Sequence, residues 1–255
     1  MVVLVAEVLT PRGSRARPWH AGPAATSRDL AALRFVGEQY AARLDVLAVV
    51  LGRLSPGELR AAGRLGSRTV RQRVERWEAA GWAVRRRMLD HSWVLPTRAG
   101  LRLAGLELDP WTPALDRLAH HHAVTVVRLA REPVPGQGAW VCERELWRRR
   151  GRASWHLADG ALPAPVPAGW QQQGISEAWE LIEVELHQKA RPRVVAALKT
   201  RPPHTARITY YVPAALHGAL SAQLASVVRE LSGRPEVAVE LLPHPANLRA
   251  DGGAA

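Results

Sequence analysis

Residues 67–97 read SRTVRQRVERWEAAGWAVRRRMLDHSWVLPT. Val70, Val74 and Trp77 recur at spacings of four and three, which puts them on one stripe of a helix. Ser67 can cap its start and Gly81 can end it. Arg68, Arg71, Arg73 and Arg76 fall mostly outside that stripe. Two β-like runs follow, WAVRRRMLD and HSWVLPT, joined at Asp90–His91, so the spacing predicts a helix and then a hairpin.

Upstream, the run from Arg28 to about Arg53 has helical spacing, with Leu30, Leu33, Val36, Tyr40, Leu44 and Leu47 on one face. Ser55-Pro56-Gly57-Glu58 has the form of a capping box with proline at the first helical position. It predicts a second helix that stops near Gly63 or Gly66. Downstream, Arg98 to about Leu106 reads as a further helix. Three helices and a hairpin are the order of a winged helix-turn-helix, whose third helix enters the major groove of DNA. Between Arg53 and Arg102, twelve arginines face Glu58, Glu75, Glu78 and Asp90, a local excess of +8. Arginine reads guanine edges or grips phosphates. Arg68, Arg71, Arg73, Arg76, Arg85, Arg86 and Arg87 are therefore the candidate DNA-binding residues, with double-stranded DNA the expected partner. The alternative is a helical domain with a solvated arginine face and no ligand.

The bulk numbers agree with a polyanionic partner. The 255 residues carry a formal charge of +12 and a calculated pI of about 11.3. Of the 35 basic residues only Lys189 and Lys199 are lysine, so a single arginine says little and a retained lysine says more. Apolar residues make up 47 %, enough for real cores. The single cysteine, Cys142, rules out an internal disulfide framework and a multi-cysteine zinc site. The opening MVVLVAEVL is too short for a membrane span, and its charges follow the apolar run, the wrong order for a secretory signal. The expected protein is cytoplasmic, with no membrane partner.

Four segments are expected: a flexible basic arm over 1–27, a DNA-binding domain over 28–106, a second domain over 114–243, and a loose tail over 244–255. ELDPWTP, residues 107–113, reads as the linker between separable domains. The second domain reads as a helix from about Ala114 to Arg131, then strands at AWVCERELW, WHLADGAL and AWELIEVEL. A helix (KARPRVVAALKT), a strand (RITYYVP), a helix (ALSAQLASVVREL) and a strand (EVAVELLP) complete it. The order is αβββαβαβ, and the overall fold class is α+β.

Within AWELIEVEL, alternation points Ile182, Val184 and Leu186 into the core. Glu183 and Glu185 then share the other face, about 7 Å apart. Two carboxylates so placed repel each other unless something positive sits between them. One answer is a divalent cation, completed by Asp159 in the turn-prone Ala158-Asp159-Gly160. All-oxygen ligands favour Mg2+ or Mn2+. Lys189 lies just beyond, where it can approach the same pocket and hold a phosphate. The other answer is pairing of Glu183 and Glu185 with Arg191 or Arg193.

The arrangement resembles the restriction-endonuclease-like fold, with its αβββαβ core and PD-(D/E)xK signature. Here the first motif is Ala158-Asp159, without the proline, and the second is Glu183-Val184-Glu185, with Glu at the usual Lys position. The resemblance implies Asp159, Glu183 and Glu185 as metal ligands and, with Lys189, as catalytic residues. LRFVGEQYAARLD, VRQRVERWEAAGW, TRAGLRLAGL, LAHHHAVTVVRL, ERELWRR, HLADGAL and EVELHQKARPRV together resemble, in their order, the replication-relaxation family of actinobacterial plasmids and integrative elements. That resemblance implies a winged-helix head, a nuclease-like second domain and a role with plasmid or mobile-element DNA, alongside replication or transfer proteins. Two functions remain open: a DNA-binding factor with a non-catalytic nuclease-like domain, and a Mg2+-dependent nickase or endonuclease.

Three adjacent histidines, His120 to His122, diverge by about 100° each on a helix and cannot chelate one ion. His156 and His187 are candidates for moving a proton near Asp159 and Glu185. Glu143 and Glu145 read as the polar, solvated end of a strand, with a place in the acidic pocket as the alternative, and Cys142 reads as core.

Overall fold

The computed structural model describes residues 24–55, 64–112, 114–132, 134–135, 138–230 and 235–248. Residues 1–23 of the arm expected over 1–27 and the helix expected after Ser55 lie outside the described residues, while Thr26 and Ser27 of that arm already cap and open the first helix. The run 28–53 is two helices, not one. α1 (Ser27–Glu38) opens on a capping box in which Thr26 and Asp29 satisfy each other's backbone. The chain leaves the helix at Gln39, passes through Tyr40 at a left-handed φ of 68°, and forms the short strand β1 (Ala42–Arg43) before α2 (Leu44–Arg53). The apolar period hides the break because Ala41 and Ala42 are buried too.

α3 (Ser67–Ala79) buries Val70, Val74 and Trp77, the stripe read from the sequence; its N-cap is Gly66, not Ser67. β2 (Ala83–Met88) and β3 (His91–Pro96) pair antiparallel. Leu89 and Asp90 both take positive φ between them, as a two-residue hairpin turn requires. β1 adds to the far edge of β3, giving a three-stranded sheet ordered β1-β3-β2. α4 (Arg98–Leu103) follows, capped by Thr97.

The second sheet has five strands: β4 (Val141–Cys142), β5 (Gly160–Pro163), β6 (Trp179–Val184), β7 (Thr205–Val212) and β8 (Glu236–Leu241). They lie side by side in chain order. β4–β5 and β5–β6 are antiparallel; β6–β7 and β7–β8 are parallel. Parallel neighbours need crossovers, supplied by α8 (Arg191–Lys199) and α9 (Ala214–Glu230). α5 (Leu118–Arg131) covers the opposite face. Its Ala123, Val124 and Val127 meet Ile182, Val184 and Tyr211, while Leu181, Ile208 and Val212 meet α8 and α9.

The expected strand over AWVCERELW ends at Cys142, and residues 143–150 form a helix, α6 (Glu143–Arg150). Glutamates in its first turn and arginines in its last oppose the helix dipole. The strand expected over WHLADGAL begins only at Gly160, and the loop over 163–176 contains a single turn of helix, α7 (Ala168–Gln171). The architecture is mixed α+β with two sheets.

Residues on either side of 107–113 share a core. Val126 and Leu129 of α5 join Phe35, Leu47, Leu51 and Trp77 in one buried cluster. Fully buried Arg128 reaches Glu132 and Glu38, each at 2.7 Å. Arg53 donates to the carbonyls of Leu129 and Glu132. The segment after Pro243, expected to be loose, returns Leu248 to that same cluster.

Candidate acidic site and basic face

β6 is the central strand of five, covered on both sides. Glu183 and Glu185 lie on its α8–α9 side with Leu181, as the two-residue period requires, and both are buried. Asp159, in the turn leading into β5, is stitched to β6. Its N–H donates to the Ile182 carbonyl at 3.0 Å, and its Oδ2 accepts the Val184 N–H at 2.7 Å. Gly160 permits the close approach of Trp140, whose ring would lie 2.2 Å from a Cβ there.

The structure brings Asp159, Glu183, Glu185 and Lys189 together. The Lys189 ammonium contacts Glu185 and lies 3.8 Å from Glu183 Oε2. Its own chain supplies the cation that like-charged neighbours demand. The pairing with Arg191 or Arg193 does not form: Arg191 turns to Glu230 and Ser226. Burial works against the Lys189 ammonium, but the charges of Glu183 and Glu185 outweigh it and raise its pKa. Burial raises the Glu185 carboxyl despite Lys189.

Two histidines complete the cluster. His156 Nε2 sits 2.8 Å from Glu183 Oε1, and His120 Nε2 sits 2.8 Å from Asp159 Oδ1. Burial opposes both imidazolium forms, yet the hydrogen bond and charge of each carboxylate hold both above the ordinary imidazole range. His120 to His122 diverge as helical geometry demands. His121 packs among Tyr40 and Trp111, and His122 against Trp93; burial pushes each down to about 4. His187 is exposed beyond β6.

Glu143 and Tyr40 join the site without a sequence signal for their meeting. The Tyr40 hydroxyl donates to Glu143 Oε2 at 3.1 Å across 103 positions of chain. Burial, then the charge of Asp159, raises the Glu143 carboxyl. Glu145, by contrast, turns out to Arg148 and Arg149.

The candidate DNA-binding arginines divide. Arg73 is 2.9 Å from fully buried Asp29, which also accepts from Trp77 Nε1 at 2.8 Å; it serves the core. Arg76 is half-exposed and 3.9 Å from the same carboxylate. Arg85 leans on Glu75 and Glu78, and Arg87 on Asp90. Arg68, Arg71 and Arg86 are exposed and have no ion pair among the described residues. Among the described residues no helix is long and apolar enough to cross a membrane. Compared with family models, characterised proteins and solved structures, the chain matches none.

Proposed function

We propose that this chain binds double-stranded DNA through α3 and the β2–β3 hairpin, as a factor of a plasmid or mobile element in its replication, transfer or regulation. The observation that carries the reading is the uncompensated charge of Arg68 and Arg71, both exposed on α3, with Arg86 on the hairpin likewise exposed and without an ion pair among the described residues. The order helix, strand, helix, helix, hairpin, with β1 closing on β3, supports a winged helix. The link to mobile elements and their replication or transfer proteins rests on the family resemblance. Arg68→Ala with Arg71→Ala is expected to weaken duplex binding by about 1–3 kcal/mol per lost base contact while leaving the melting temperature unchanged. A folded double variant with parental affinity removes the proposal.

The second half supports a nuclease-like reading. α5, β4, β5, β6, α8 and β7 follow the αβββαβ order once α6 and α7 are taken as insertions. The convergence of Asp159, Glu183, Glu185 and Lys189 favours a second function, a metal-dependent nickase. Asp159, Glu183 and Glu185 would hold Mg2+ or Mn2+, and the ion would supply charge neutralisation at a phosphodiester. The oxygen donors suit such an ion, but Lys189, His156 and His120 already compensate these carboxylates. That favours a non-catalytic role. Supercoiled plasmid with Mg2+ or Mn2+ is expected to stay closed, with no rise in melting temperature from either metal. Open circles that disappear in Glu183→Gln would establish the nickase instead.

A further inference from the structure

α6 ends in Leu146-Trp147-Arg148-Arg149-Arg150, with Arg152 just beyond. Trp147 is 61 % exposed, and no other tryptophan among the described residues is exposed. An exposed indole exchanges no water for packing, so its position is not explained by the core. The Arg150 guanidinium lies over its ring at 5.2 Å, a contact that steadies the ring. Arg148 and Arg149 share one carboxylate, Glu145, and Arg152 is exposed with no ion pair among the described residues. The patch is therefore basic, aromatic and open.

Its location is specific. Glu143, Trp147 and Arg150 are spaced four and three apart, so they share one stripe of α6. Glu143 stands at the acidic cluster, beside Tyr40 and near Asp159. Trp147 is one turn farther out, about 6 Å along the axis. We propose that Trp147, with Arg150 and Arg152, is a stacking platform for unpaired DNA nucleotides, leading a single strand toward the acidic cluster. Bases stack on aromatic rings without regard to sequence while arginines hold the phosphates. Duplex DNA hides its base faces and gains only the charge contacts. The inference builds on the proposed DNA-binding function but concerns a different surface and a different DNA form.

The test uses the full chain, labelled oligo(dT), and a blunt duplex, both followed by fluorescence anisotropy. Trp147→Ala is expected to weaken oligo(dT) binding about tenfold and duplex binding less than twofold. Trp147→Phe, which keeps a ring, is expected to recover most of the loss. Arg68→Ala with Arg71→Ala shows the reverse preference, weakening the duplex more than oligo(dT). If Trp147→Ala binds oligo(dT) like the parent, the platform is wrong whatever the duplex result. If Trp147→Ala has its effect and the α3 variant has none, the platform stands and the duplex-binding face on α3 falls.

Discussion

Arg71 and Arg73 are two positions apart on α3 and have opposite duties. Arg73 neutralises Asp29, whose burial would raise its carboxyl were it not for hydrogen bonds from Thr26, Trp77 and Arg73 that lower it. Arg73→Ala should cost about 1–3 kcal/mol of stability by stranding part of a buried acceptor, and Arg71→Ala none, as chemical denaturation of the two variants checks. The histidines also divide, by sign. His120 and His156 have raised folded values, so their stabilisation is complete below about pH 6.5 and is lost as pH rises through those raised values. His121 and His122 have lowered values, so the unfolded chain binds more protons and stability falls as pH drops from about 6.5 toward 4. Urea midpoints across pH 4.5–8.5 are expected to show loss at both ends. His156→Gln should flatten the alkaline side, and His121→Phe the acid side. Unchanged pH profiles in both variants would contradict these assignments.

At the level of elements, the acidic strand was legible and its surroundings were not. A period of two puts Glu183 and Glu185 on one face whatever the rest of the chain does. Their partners come from elsewhere: His120 is 39 positions from Asp159, and His156 is 27 from Glu183. No local pattern encodes such meetings. α3 and the hairpin were legible because their apolar stripe and turn are local. The break at Tyr40 was not, since buried alanines carry the apolar run across it. Nor was α6, where Val141 and Cys142 begin as a strand and the charged residues after them look equally at home on a solvated edge. Gly160 is the quiet requirement of this region. Gly160→Ala drives a methyl into the Trp140 ring and should cost about 1–3 kcal/mol as an overpacked core. A melting temperature equal to the parent's would show that Trp140 is free to move.

Across the whole molecule, α5 serves two cores. Val126 and Leu129 face α1 and α2, while Ala123, Val124 and Val127 face the five-stranded sheet. Buried Arg128 ties Glu38 to Glu132. A change of sheet at 107–113 is therefore not a change of core, and a nick there should leave both fragments co-eluting on gel filtration. Two folded fragments eluting separately would contradict the shared core. The charge of +12 sets the long-range field, and the proposed function assigns the seat of duplex DNA to α3. The most direct measurement is the salt dependence of duplex binding, parent against Arg68→Ala with Arg71→Ala. Each phosphate contact contributes roughly 0.9 to the slope of log affinity against log salt. If both arginines grip phosphates, the double variant should lower the magnitude of that slope by about 1.8; if they read bases instead, affinity should drop uniformly at every salt concentration. Parental slope and parental affinity together, in a folded double variant, would contradict binding through α3.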